Sequence, residues 1–156
     1  DIFNIIMHKK IDTKNFEKTK ILDLYSGFGS FGIECLSRNA KKVVFVEKDK
    51  SAFNVLEKNI KNLKLSDGAE LNFAEIGNYI LKLKSEIKFD LIFLDPPYED
   101  KNYLQILKIL KEKKVFKEKH LVIIHREKKN YDKLDEFINI DLTRGYGRSQ
   151  IIFGYF

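Results

Sequence analysis

Cysteine, histidine, proline and arginine are all scarce in this sequence of 156 residues, and so are long apolar runs. Cys35 is the one cysteine, so the chain can form no internal disulfide and no thiolate metal cluster, which suits a reducing compartment. His8, His120 and His125 are scattered without ligand spacing, and no zinc or iron site is expected. Nothing approaches the roughly 18 unbroken apolar residues of a membrane helix, and no charged-then-apolar opening marks a secretory signal. A cytoplasmic protein with no membrane partner is expected. The two prolines stand together as Pro96-Pro97, and there is no repeat, low-complexity tract or linker.

Arginine is confined to Arg38, Arg126, Arg144 and Arg148, and lysine supplies the rest of 29 basic residues against 23 acidic ones. The net charge of +6 and pI near 9.2 favour an anionic partner such as nucleic acid. Lysines spread along the whole chain beside Asn and Ile read equally well as compositional bias and a solvated surface.

With 44% hydrophobic residues, the chain can bury one full core, and a single domain over 1–156 is expected. Runs rich in Val, Ile, Leu and Phe at 20–25, 42–47, 70–73, 89–94 and 120–125 read as strands, with helical periodicity between them. Phe53, Leu56, Ile60 and Leu63 share a helical face after Asp49, and Tyr103, Ile106, Leu107 and Leu110 do so after Asp100. Ile76, Tyr79, Ile80 and Leu83 give a shorter third case. Strands alternating with helices predict an α/β, doubly wound, mostly parallel sheet. Residues 137–142 and 150–156 break the alternation. They are joined by Thr143-Arg144-Gly145-Tyr146-Gly147-Arg148-Ser149, too short for a helix, and so predict a closing antiparallel hairpin and a seven-stranded sheet.

Two segments carry chemistry. The first, Asp23-Leu24-Tyr25-Ser26-Gly27-Phe28-Gly29-Ser30-Phe31-Gly32, turns from a strand ending at Tyr25 into a helix beginning near Gly29. Gly27, Gly29 and Gly32 suit a tight reversal that lets a ligand approach the backbone. That spacing also occurs in nicotinamide and flavin enzymes. Glu47 closes the second strand, where a carboxylate can accept from both hydroxyls of a ribose, with Asp49 as the substitute. Glu75, after the third strand, is a candidate contact for an adenine amino group.

The second segment, Asp95-Pro96-Pro97-Tyr98, ends the apolar run 89–94. Methylating an exocyclic amine requires its lone pair to leave conjugation with the ring. Acceptors aimed at the amine protons help, and Asp95 with the Pro96 carbonyl can supply them. Pro96 and Pro97 stiffen the segment and remove donors. Tyr98 offers a face on which an extruded base can stack. The arginines flanking Tyr146 in the Arg144–Arg148 turn combine phosphate-binding charge with a stacking ring, and Lys9, Lys10 and Lys14 can extend a basic surface.

The glycine turn continued to Ile33-Glu34, followed by Val46-Glu47, Asp95-Pro96-Pro97-Tyr98 and Arg144-Gly145-Tyr146-Gly147, resembles the bacterial family that methylates the guanine N2 amine at nucleotide 966 of 16S ribosomal RNA. The opening Asp1-Ile2-Phe3-Asn4-Ile5-Ile6 is similar to the helix that precedes that family's first strand, so the resemblance spans nearly the whole chain. It implies a Rossmann-like class I methyltransferase using S-adenosylmethionine, releasing S-adenosylhomocysteine and needing no metal. Asp23 would organise the loop around the methionine moiety, and Tyr25, Ser26, Gly27, Gly29, Gly32, Glu47 and Glu75 would serve cofactor binding. The implied partner is 16S rRNA in an assembling or assembled small subunit, met by a monomer.

Two departures stand out. Family members usually carry a basic hairpin ahead of the opening helix, whereas this chain begins at Asp1; RNA binding would draw on that hairpin more than cofactor binding would. His125 ends the fifth strand where relatives carry a glutamate. Asp-Pro-Pro-Tyr also occurs in DNA adenine-N6 methyltransferases, which normally add a recognition domain that this chain does not display. A non-catalytic cofactor-binding partner subunit is a further alternative, though it would have no use for that tetrapeptide.

Overall fold

A computed structural model describes residues 2–9, 13–129 and 132–156, with the side chains of residues 13–15 set aside. Asp1 and Lys10 lie outside the described residues, as does the Lys14 side chain. The elements run α1 (Ile2–Met7), β1 (Lys20–Leu24), α2 (Ser30–Ser37), β2 (Lys42–Glu47), α3 (Lys50–Asn62), β3 (Ala69–Phe73), α4 (Ile76–Leu81), β4 (Phe89–Leu94), α5 (Tyr103–Lys113), β5 (Phe116–Glu127), β6 (Asn139–Tyr146) and β7 (Ser149–Tyr155). Short 3-10 turns occupy Thr13–Lys18, Ser66–Gly68 and Leu134–Glu136.

The seven strands form one sheet in the order β3-β2-β1-β4-β5-β7-β6. Strands β1 to β5 are parallel, and β7 runs antiparallel between β5 and β6. This is the doubly wound sheet with a closing hairpin that the strand pattern predicts. Successive side chains of a strand point to opposite faces, so a strand covered on both sides reads as a nearly continuous apolar run. Leu22, Leu24, Val44, Val46, Ile92, Leu94, Val122 and Ile124 pack beneath α4 and α5. Ile21, Val43, Phe45, Leu91, Phe93, Leu121 and Ile123 pack beneath α1, α2 and α3. Cys35 is fully buried in this second layer, and desolvation pushes its thiol pKa up. No described helix is long and apolar enough to cross a membrane.

The C-terminal hairpin departs from its predicted outline. Leu134–Glu136 forms a 3-10 turn whose backbone bonds include Phe137 and Ile138, so β6 starts at Asn139. It then runs through Arg144, Gly145 and Tyr146, which pair with Ile151, Gln150 and Ser149. The connecting loop is therefore only Gly147-Arg148, with Gly147 at a φ of 56° in the first central position, the pattern of a two-residue II′ turn. Arg144 and Tyr146 are strand residues rather than turn residues. His120 ties the hairpin down: its Nδ1 faces the Lys117 carbonyl at 2.7 Å, and its Nε2 accepts from the Phe156 N–H at 2.9 Å.

The order of the parallel strands reverses between β1 and β4. In open α/β sheets the crevice outside the carboxyl ends at such a reversal is where ligands bind. The glycine turn leaves the end of β1, and Asp95 follows the end of β4.

Candidate active site

Asp23 faces the α2 side of the sheet, paired across it with Phe45 and Phe93. Its Oδ2 accepts from the Gly32 N–H at 3.1 Å, supplying from a neighbouring strand the capping bond that Gly29, the N-cap of α2, has no side chain to make. Asp23 Oδ1 is buried and without a hydrogen-bond partner among the described residues. Burial drives the Asp23 pKa up to about 8; the Gly32 N–H opposes the shift, and the Asp95 and Glu47 charges reinforce it.

Each glycine of the turn has its own reason. Gly27 sits at φ 57° with open space where a Cβ would project. At Gly29, φ 90°, a Cβ would come within 2.4 Å of Leu56 Cδ1. Gly32 has an ordinary helical backbone, but a Cβ there would stand 2.3 Å from Phe45 Cε1 and 2.8 Å from Asp23 Oδ2. Phe45 is fully buried and cannot swing aside. Gly32→Ala is accordingly expected to cost about 1–3 kcal/mol of stability through overpacking. In thermal melts that should lower Tm by about 2–4 °C per kcal/mol at this chain length; an unchanged Tm would show that α2 is free to lift off the sheet.

Tyr25 is not a glycine yet takes φ 58°, the strained left-handed region that clusters at functional sites. The Ser26 hydroxyl bonds the carbonyls of Asp23 and Val46, both at 2.9 Å, stitching the turn to β2. Glu47, almost fully buried, accepts from the Gly27 N–H through Oε1 at 2.8 Å and from the Asp49 N–H through Oε2 at 2.7 Å. A carboxylate has about four lone-pair sites, so both oxygens keep capacity for further donors. Asp49 caps α3, accepting from the Ala52 N–H at 2.8 Å. Glu75 likewise caps α4 through the Gly77 and Asn78 N–H groups.

One cavity of about 570 Å³ is lined by Tyr25, Gly27, Glu47, Lys48, Asp49, Ile76, Asp95, Pro96, Pro97, Tyr98 and His125. That volume lies within the usual range for small-molecule sites. Of the predicted residues it therefore joins Tyr25, Gly27 and Glu47 to the whole Asp95–Tyr98 segment. Asp23, Ser26, Gly29, Gly32 and Glu75 are not among its lining residues. The residues fit a nucleoside cofactor: open space at Gly27 admits a ligand to the backbone, and Glu47 presents a carboxylate with spare acceptor capacity.

His125 and Arg126, consecutive on β5, hold the second segment. His125 Nδ1 lies 2.8 Å from Asp95 Oδ1, and a carboxylate only accepts, so Nδ1 carries the proton. The His125 ring also meets the Tyr98 ring edge-on at 6.0 Å. Arg126, 2% exposed, donates to the carbonyls of Pro96, Pro97 and Tyr98 at 3.2, 3.0 and 2.8 Å. The Pro96 carbonyl, expected to offer an acceptor to the substrate, has one lone pair committed to Arg126 and one left. Arg126 is absent from the expected site residues; its one signal is an arginine closing an apolar run in a chain whose cations are nearly all lysine.

Arg144, Tyr146 and Arg148 are exposed. Arg144 pairs with Ile151, which pairs with His125, so the hairpin tip lies at the same end of the sheet as the cavity.

The family model described as "Conserved hypothetical protein 95" matches residues 1–155. The "Ribosomal RNA small subunit methyltransferase D" of Haemophilus influenzae is 37% identical over 112 residues, 71% of this chain and 58% of that protein. The protein of the same name from Buchnera aphidicola is 32% identical over 117 residues, 75% of this chain and 60% of its own length. The chain thus spans under two thirds of these relatives. A Streptococcus pyogenes structure described as a conserved hypothetical protein superposes with a TM-score of 0.85 at 28% identity, covering 99% of this chain and 92% of that one.

Proposed function

Because the chain belongs to the family described as Conserved hypothetical protein 95, whose relatives include small-subunit rRNA methyltransferases, we propose that it is an S-adenosylmethionine-dependent rRNA methyltransferase acting on the exocyclic N2 amine of a guanine in 16S rRNA. The observation that carries the reading is the meeting, in one cavity at the sheet's reversal point, of the glycine turn, Glu47 and Asp95-Pro96-Pro97-Tyr98.

S-adenosylmethionine, when bound, supplies a methyl group activated on a sulfonium. Glu47 would hold ribose hydroxyls, and Gly27 would let the ligand lie against the backbone. Asp95 Oδ2, the oxygen not engaged by His125, would accept from the amine and stabilise the positive charge that develops on nitrogen. The remaining lone pair of the Pro96 carbonyl would accept a hydrogen bond from the second amine N–H, and the methylated nitrogen would shed its extra proton to solvent after the carbon–sulfur bond breaks. Tyr98, 43% exposed on the cavity wall, would stack on the base once it leaves its helix. Arg144, Tyr146 and Arg148 would contact RNA beside the cavity. In this reading the enzyme works as a single domain over residues 1–156, monomeric and in the cytoplasm with its ribosomal substrate, and uses no metal.

The test is mass spectrometry of nucleosides from unmodified small subunits after incubation with the natural full-length protein and S-adenosylmethionine. New N2-methylguanosine is the expected product. No new methylated nucleoside, with cofactor binding verified by calorimetry, would overturn the reading, and N6-methyladenine formed in DNA would replace it.

A further inference from the structure

We propose that Arg126 is a positioning residue for the transfer step, the group that sets where Asp95 and Tyr98 stand; the inference rests on the function proposed above. Pro96 and Pro97 have no N–H, so this segment cannot tie its carbonyls back through its own proline donors. The Asp100 N–H reaches the Pro97 carbonyl at 2.9 Å, and all three successive carbonyls converge on one guanidinium, Nη1 serving Pro96 and Pro97 and Nη2 serving Tyr98, at 2.8–3.2 Å. A planar fork of five donors can meet three acceptors in fixed directions, which the point charge of a lysine cannot.

The guanidinium is itself held from behind. Tyr103, fully buried on α5, lies under it with the ring centroid 4.5 Å from Cζ. Asp132 stands 3.6 Å from Nη2 and accepts from the Tyr103 hydroxyl at 2.6 Å. A buried cation costs several kcal/mol of desolvation unless it is well paired, so an arrangement serving stability alone would be replaceable by an apolar residue. Here the hydrogen bonds that offset the cost go to Pro96, Pro97 and Tyr98. Arg126 does not line the cavity. It acts through the segment it holds, whose placement matters because a misplacement of about 1 Å can cost about a hundredfold in rate.

The experiment compares wild type, Arg126→Lys and Arg126→Ala by steady-state kinetics on small subunits, calorimetry with S-adenosylmethionine, and hydrogen exchange at residues 98–100. Arg126→Lys is expected to lower kcat about a hundredfold while KM for the subunit and cofactor affinity stay within a few fold, with faster exchange confined to residues 98–100. Added ethylguanidinium is expected to restore part of kcat to Arg126→Ala and none to Arg126→Lys. Wild-type kcat and exchange in Arg126→Lys would overturn the proposal, as would equal losses of turnover and cofactor affinity without rescue. Should both variants fail to fold, Asp132→Asn loosens the guanidinium without removing it and is read in the same way. Should wild type transfer no methyl group, the proposed function fails, and exchange at residues 98–100 decides the positioning role alone.

Discussion

Asp95→Ala is expected to lower turnover by at least roughly a hundredfold, the scale of losing a well-placed transition-state acceptor, while S-adenosylmethionine affinity stays within a few fold. The separation follows from the layout of the cavity. Asp95 leaves β4, whereas Glu47 and Gly27 leave β2 and β1 and bond to each other rather than to Asp95. The Asp95 carboxylate is 45% exposed, so its removal buries no unpaired group and should barely move Tm. His125 loses its partner but is itself partly exposed and can turn to water. Single-turnover kinetics together with calorimetry check this. Equal loss of affinity and turnover would sink the acceptor role and make Asp95 part of the cofactor wall instead.

The second large effect concerns Asp23 and pH. Its pKa in the folded chain is raised to about 8, first by desolvation, from the ordinary 3.8. A raised carboxyl pKa means that the native state holds a proton the unfolded state has released, so stability is greatest at low pH and falls as pH climbs from about 4 to about 8. At 1.36 kcal/mol per pKa unit the contribution lost by pH 9 is on the order of 5 kcal/mol. Asp23→Asn, neutral at every pH and still offering an oxygen to the Gly32 N–H, should lack this slope. Urea denaturation across pH 5–9 is the check: the wild-type curve should fall relative to that of the variant, and parallel curves would mean that Asp23 reaches water. A protein that keeps a carboxyl where its ionisation is so costly forgoes stability at its glycine turn, a trade common at functional sites.

How far the sequence went depended on burial. Strands β1, β2 and β4 are covered on both faces, so their residues are mostly apolar and could be found, with Asp23, Glu47 and Asp90 among the polar exceptions. Strand β6 is an exposed edge, and Arg144-Gly145-Tyr146 on it has the composition of a loop. Its pairing partners, not its own residues, make it a strand. The start of β5 escaped for the same reason: Lys117, Glu118 and Lys119 are polar, and the strand's register against β4 slips there. At the site, the order of the glycine turn, Glu47 and Asp95 along the chain was legible because each closes a strand. The tasks of Ser26 and Glu75 were not, since backbone groups that no sequence pattern displays occupy both side chains. Arg126 was hidden more deeply, because its partners are carbonyls about 30 residues back and an aspartate in the next loop.

Strand β7 follows β5 and β6 in sequence yet lies between them. As synthesis proceeds from the N-terminus, both earlier strands must wait with a bare row of hydrogen-bonding groups until residues Ser149–Tyr155 emerge. The side chains that hold the Asp95 segment, His125 and Arg126, are on that waiting strand. A nascent chain stopped at the Gly147-Arg148 turn would therefore be sticky as well as inactive, a natural substrate for chaperones.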